Sequence, residues 1–240
     1  MEKPTSLLVS DYDGTYFDEN NPNQIYHSND SVIDLTSNGH LFMISTGRSF
    51  TSINGEIIKY NIPYDYLSCS NGNVLLSKNN IIDLNAIKDS SLEELKEFHS
   101  HIESLTGLDI SGEKTSKEVV EYILKIKLDE KIRKAIIHIL HYSEILDYTT
   151  ERTDRSIIHI FNRSNKTRDI NLASKVLNIP QTRIFTIGDS INDYEMIRLF
   201  NGFFIKNDRT NTPQYALKEY ENIQGFFNDA KEGLLLTRKK

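Results

Sequence analysis

Asp11 and Asp13 flank a single residue in Asp11-Tyr12-Asp13-Gly14-Thr15, directly behind the short apolar run Leu7-Leu8-Val9-Ser10. Two more polar clusters stand in the same place behind apolar runs. Thr46-Gly47-Arg48 follows Leu41-Phe42-Met43-Ile44 and Ser45, and Asp189 with Asp193 follows Ile184-Phe185-Thr186-Ile187 and Gly188. Carboxylates so placed can serve as nucleophile, proton shuttle or ligand to a hard cation. Asp11, Asp13 and Asp189 drawn into one crevice would repel one another unless a cation sat among them. Oxygen donors without thiols favour Mg2+, which also binds phosphate oxygens. Thr46 and the backbone N–H groups of Gly47 and Arg48, at the expected start of a helix, form an anion site. Lys166 adds a point charge suited to phosphate. Metal, anion site and free carboxylate together describe phosphoryl transfer.

These residues are far apart in sequence, so the elements around them must bring them together. Uniform apolar runs at Leu7–Ser10, Leu41–Ile44 and Tyr66–Cys69 alternate with helical patterns at 31–37, capped by Asn38-Gly39, and from about 49 to Tyr60. Such alternation indicates parallel strands covered on both faces. Ligands of an open parallel sheet bind outside the carboxyl ends of its strands, where all three clusters would converge. The alternation returns after Lys166, with a helix over 169–177, strands at 184–187 and 203–205, a helix from about Asn192 and another at the C-terminus.

The middle reads differently. Val74–Leu76 and Ile81–Leu84 flank Ser77-Lys78-Asn79-Asn80 as a hairpin. Charged helical patterns are expected over 92–105 and 117–127, a longer helix over 129–142, and a strand over 156–161. The expected organisation is α/β: a parallel-sheet core over 1–84 and 161–240, with an α+β module inserted at 85–160.

Composition bounds the function. The chain has 240 residues, 38% hydrophobic and 26% charged, enough to bury a real core. A net charge of −6 argues against nucleic acid or a membrane surface as partner, since both call for a basic footprint. The lone cysteine, Cys69, can form neither an internal disulfide nor a thiolate cage. With neither a secretory pattern nor a long uncharged apolar run, the expected location is cytoplasmic.

Taken in order, the four motifs resemble the haloacid dehalogenase-like phosphatase superfamily over nearly the whole chain. Leu7 to Thr15 is similar to the nucleophile motif, and Ile44-Ser45-Thr46-Gly47-Arg48 to the second. Lys166 in Ser164-Asn165-Lys166 matches the third, and Gly188-Asp189-Ser190-Ile191-Asn192-Asp193 the fourth. The insert resembles the family's second type of cap (C2), found in bacterial sugar-phosphate phosphatases and in sucrose- and trehalose-phosphate phosphatases. The resemblance implies a Rossmann-like core, Mg2+ as cofactor and a small phosphorylated metabolite, foremost a sugar phosphate, as substrate. Asp11 would form an aspartyl-phosphate. Asp13 would protonate the leaving alkoxide and then activate water, and Thr46 and Lys166 would stabilise the transferring group. Asp11, the backbone carbonyl of Asp13 and Asp189 would hold the metal, with Asp193 joining directly or through water or Lys166. Gly14, Gly47, Arg48, Asn71 and Asn192 match the substrate side, and the residues that choose the substrate would lie in the insert. A monomer or weak homodimer is expected.

Tyr12 and Tyr16 replace the aliphatic residues usual in relatives, and Thr167 stands where glycine commonly follows the lysine, which makes Arg168 the fallback cation. Each motif alone has a plain reading: a solvated turn for Asp-x-Asp-Gly, a helix cap for the fourth cluster, a surface lysine for Lys166. Their convergence on strand ends favours the catalytic one. His99 and His101 are two apart and face different ways on a helix, while His138 and His141 lack a third ligand. Competing functions are a phosphomutase of the same superfamily, a phosphoacceptor signalling domain without turnover, and a silent binding protein.

Overall fold

In a computed structural model of the chain, the structure describes residues 5–78, 80–85, 109–115, 118–125, 146–150, 157–162 and 165–238. The chain divides into two compact units, Met1–Ile82 with Asn165–Lys240, and Asp83–Ser164.

The first unit is built on an eight-stranded sheet. Its strands are β1 (Leu7–Ser10), β2 (Leu41–Ser45), β3 (Tyr66–Cys69), β4 (Val74–Ser77) and β5 (Asn80–Leu84), then β10 (Ile184–Gly188), β11 (Asn201–Ile205) and β12 (Glu219–Tyr220), in the order β12-β11-β10-β1-β2-β3-β4-β5. Pairing is parallel from β12 through β3, and β4 turns back antiparallel on β3. Five helices accompany it: α1 (Gln24–Ser37), α2 (Phe50–Tyr60), α3 (Lys166–Leu177), α4 (Tyr194–Leu199) and α5 (Ile223–Lys231).

Both faces of the sheet are buried, which is why its strands read as unbroken apolar runs rather than alternating ones. On one face Leu7, Val9 and Met43 pack with Ile170 and Ala173 of α3 and Met196 and Ile197 of α4. On the other an aromatic chain runs from Tyr16 through Phe42 and Phe227 to Phe226 and Phe203, tying α5 to the sheet. Each such side chain removed from water contributes about 1.5–3 kcal/mol.

Order and direction together position the site. From β1 the chain steps one way through β2 and β3, while β10 and β11 lie on the other side. The topological switch therefore falls between β1 and β10, where open α/β sheets form a crevice at the strands' carboxyl ends. Asp11 and Asp189 are the residues that leave those two ends.

Several elements differ from expectation. α1 begins at Gln24 rather than near Ser31, because Ile25, Ser28 and Asn29 are buried through contacts that their own periodicity does not announce. The helix expected from Asn192 starts as a 3-10 turn, Ile191–Asp193, before α4. The edge strand β12 is too short to leave an apolar signature.

In the second unit, β6 (Asp109–Thr115), β7 (Glu118–Lys125), β8 (Leu146–Thr150) and β9 (Ile157–Asn162) form an antiparallel sheet of order β6-β7-β9-β8. Residues 118–125, expected as helix, are strand. Val119, Val120, Tyr122 and Ile123 favour extended backbone, and pairing on both sides outweighs the charge spacing that suggested a helix. The strand expected at 156–161 is β9. The helices expected over 92–105 and 129–142 lie outside the described residues.

Candidate active site

Asp11 follows β1 directly, and its N–H donates to the carbonyl of Ile187 in β10, joining the two strand ends at 3.0 Å. Lys166 is the first residue of α3, whose N-cap Asn165 accepts the N–H of Thr167. A lysine at a helix N-terminus opposes the helix dipole. Two carboxylates offset that: Lys166 Nζ donates to Asp11 Oδ1 at 2.5 Å and to Asp193 Oδ1 at 2.6 Å, with all three side chains buried. Arg168, the fallback cation, is engaged elsewhere, donating to the carbonyl of Gly72 at 3.0 Å and to Asp169 at 2.9 Å.

Asp193 is a hub. While Oδ1 receives Lys166, Oδ2 accepts the N–H groups of Asp189 and Ser190 and the hydroxyl of Ser190, at 2.9–3.1 Å. Gly188 makes room for it, since a Cβ there would stand 2.3 Å from Asp193 Cγ. Gly14, at φ +80°, does the same for Asp189: a Cβ would fall 2.4 Å from Asp189 Oδ2. Thr15 donates to Asp189 Oδ1 at 3.2 Å, and Asn207 Nδ2 donates to the Asp189 carbonyl at 2.7 Å.

Carboxylate oxygens of Asp11, Asp189 and Asp193 lie within 4.8 Å of one another. Three carboxyl groups facing one ammonium carry a formal excess of two negative charges, with Asp11 and Asp193 buried and Asp189 half-buried. Burial raises the Asp11 carboxyl well above the usual range; Lys166 opposes this, and the charges of Asp193, Asp189 and Asp13 reinforce it. Burial and then Asp193 raise Asp189 to about 6, again against Lys166. A hard-oxygen donor set with an uncompensated charge of two fits Mg2+ and would be relieved by it.

Asp13 stands apart from that cluster. Arg48 grips it with two hydrogen bonds, Nε to Oδ2 at 2.8 Å and Nη2 to Oδ1 at 2.6 Å. Arg48, expected to face the substrate, is thus placed on the second aspartate. Tyr12 lies fully buried between the two acids, its ring stacked on Phe17 and its hydroxyl donating to Glu56.

Thr46 is buried, and its hydroxyl accepts the N–H of Arg48 at 3.1 Å. The expected anion site therefore lacks that N–H, and α2 is capped one residue later, by Ser49. The carbonyls of Thr46 and Arg48 accept the N–H groups of Asn71 and Ser70, so the loop after β3 clasps the loop after β2. The Asn71 side chain rests against Gly47. Asn192 is solvent-exposed on the 3-10 turn.

Sequence reasoning missed Glu56, Ser190 and Asn207. Asn207 had a signal, an amide two residues beyond a buried strand; Glu56 looks like any charged helix residue. A separate polar hollow of about 530 Å³, lined by His27, Asp30, Asn222, Gln224 and Lys231 among others, includes none of the catalytic candidates.

A search of curated protein sequences finds no match to this chain. Solved structures do match. A haloalkanoate dehalogenase superfamily phosphatase from Bacteroides thetaiotaomicron has a TM-score of 0.73 at 16% identity, covering 97% of this chain and 96% of that one. A subclass IIB sugar phosphatase has 0.68 at 17%, covering 97% and 100%. A haloacid dehalogenase-like hydrolase from B. subtilis has 0.70 at 14%, covering 94% and 99%. At these identities the likeness establishes the fold. The sequence profile of one family, described as haloacid dehalogenase-like hydrolase, matches residues 8–109 and 99–222. With the profile spanning most of its length, this chain belongs to the haloacid dehalogenase-like hydrolases.

Proposed function

We propose that the chain is an Mg2+-dependent phosphomonoester hydrolase acting through an aspartyl-phosphate on a small phosphorylated metabolite, foremost a sugar phosphate. The observation that carries this reading is the meeting of Asp11, Asp189, Asp193 and Lys166 at the carboxyl ends of β1 and β10. A carboxylate of Asp11 attacks phosphorus, forming one P–O bond as the ester P–O bond breaks. Asp13 gives its proton to the departing alkoxide. It then takes a proton from the water that attacks the aspartyl-phosphate, releasing inorganic phosphate and restoring Asp11. Lys166 and Thr46 offset charge on the transferring oxygens. Asp11, Asp189 and the backbone carbonyl of Asp13, with Asp193 behind them, would hold Mg2+, which would supply the positive charge that lets a phosphate dianion approach these carboxylates. The sugar-phosphate class is supported by the cap resemblance and by the fold shared with a sugar phosphatase.

The test is phosphate release from an aryl phosphate and from a panel of sugar phosphates, with Mg2+ and after chelation. Turnover is expected only with the metal, and Asp11→Asn should abolish it. Undiminished release by that variant would refute the mechanism. Interconversion of sugar phosphate isomers without net phosphate release would instead indicate a mutase.

A further inference from the structure

We infer that Tyr12 and Glu56 are positioning residues for the Asp13 carboxylate, acting through Arg48. The inference rests on the phosphatase reading, in which Asp13 is the proton shuttle.

The Arg48 guanidinium is defined on three sides. One edge is the two-hydrogen-bond grip on Asp13. Nη1 lies 4.0 Å from Glu56 Oε1. Its Cζ lies over the Tyr12 ring, 5.1 Å from the ring centroid. The Tyr12 hydroxyl donates to Glu56 Oε2 at 3.3 Å, so the ring and the second carboxylate are tied to each other as well. Tyr12 has no exposed surface, and its ring lies parallel to that of Phe17, 5.7 Å away.

This arrangement matters because the Asp13 side chain is itself 37% exposed. A proton shuttle must keep hydrogen-bond reach of the leaving oxygen, and a partly solvated carboxylate has other rotamers available. A guanidinium fork fixes the plane of a carboxylate, but only as well as the fork itself is fixed. Tyr12 and Glu56 supply that fixing from the face and the far edge. An aliphatic residue at position 12 would offer neither the aromatic face nor the hydroxyl.

The experiment compares kcat/KM along a series from 4-nitrophenyl phosphate, whose leaving group departs without a proton, to phenyl and alkyl phosphates, which need one. Tyr12→Phe keeps the ring and loses the tie to Glu56, while Glu56→Gln keeps the size and loses the charge. Because a well-placed acid contributes about 10²–10⁴-fold only where the leaving group needs its proton, each variant should lose about 10-fold on alkyl phosphates and less than about 2-fold on 4-nitrophenyl phosphate. In an Arg48→Ala background the Tyr12→Phe effect should vanish, since the relay is already cut. Equal losses across the series, or none, overturn the inference. Circular dichroism separates misfolding from mispositioning, and the isosteric Tyr12→Phe decides the matter should Glu56→Gln fail to fold. Asp11→Asn keeps the two readings apart. If it abolishes turnover while the series stays flat, the positioning role alone falls. If turnover survives it, or the wild type has none, the phosphatase reading falls and this inference with it.

Discussion

Lys166 Nζ lies 2.5 Å from Asp11 Oδ1 in an ion pair that joins residues 155 positions apart, with both side chains buried. Removing the cation leaves Asp11 and Asp193 buried and facing each other. Breaking a buried pair from one side costs about 3–5 kcal/mol, so Lys166→Met should lower the urea midpoint steeply. At saturating Mg2+ the loss of charge on the transferring group should reduce kcat by about 10²–10³-fold. An unchanged midpoint would show that the ammonium is not what offsets these acids.

Asp189 presents the opposite case. It belongs to a cluster with a formal excess of two negative charges, so Asp189→Asn removes a repulsion as well as a proposed metal ligand. Without divalent cation the variant should melt above the wild type. Adding Mg2+ should reverse the order, since ligand at 100 times its Kd stabilises the native state by about 2.7 kcal/mol and the variant loses most of that affinity. Thermal melts with EDTA and with Mg2+ check both halves.

Ser70 holds φ at +50° immediately after β3, and its buried hydroxyl has no hydrogen-bond partner. The left-handed backbone costs a side-chain-bearing residue about 1–2 kcal/mol. An unmet buried hydroxyl adds about 1–3 kcal/mol, against about 0.5–1 kcal/mol of extra unfolded-state freedom for glycine. Ser70→Gly should therefore raise stability by about 1 kcal/mol or more. Ser70→Ala, which removes only the hydroxyl, should gain less. Urea denaturation of the pair distinguishes them.

Away from the site, Asp229 Oδ2 accepts Lys218 Nζ and the Tyr220 hydroxyl, each at 2.6 Å. The Lys218 hydrogen bond foremost, then that of Tyr220, hold its carboxyl below the ordinary 3.8. The unfolded chain takes up this proton at a higher pH than the folded one does. The contribution to stability is thus complete above about pH 4–5 and is lost as pH falls through 3.8 and then the folded value. The gap in urea midpoint between wild type and Asp229→Asn should be widest near pH 6 and close towards pH 3. A gap independent of pH would assign the effect to packing.

Much of the core was legible in the sequence because the signals are local. An unbroken apolar run ending in an acid marks a strand buried on both faces and where its carboxyl end lies, which is how Asp11 and Asp189 announce themselves. The capping pair Asn38-Gly39 acts over a few positions and was equally readable. The match to the haloacid dehalogenase-like hydrolases followed from those same strand ends.

Other features depend on partners distant in the chain. Nothing near Lys166 or Arg168 says which cation meets Asp11; the register of α3 against β1 decides it, turning Arg168 to Gly72 and Asp169. Arg48 stands two residues after Thr46 in sequence, yet its fork closes on Asp13, 35 positions away. Residues 118–125 carry helix-like charge spacing and become strand because β6 and β9 pair with them on either side. Backbone propensity and hydrophobic runs act between neighbours and survive in the linear order, whereas ion pairs and strand pairing are set by where the folded chain returns.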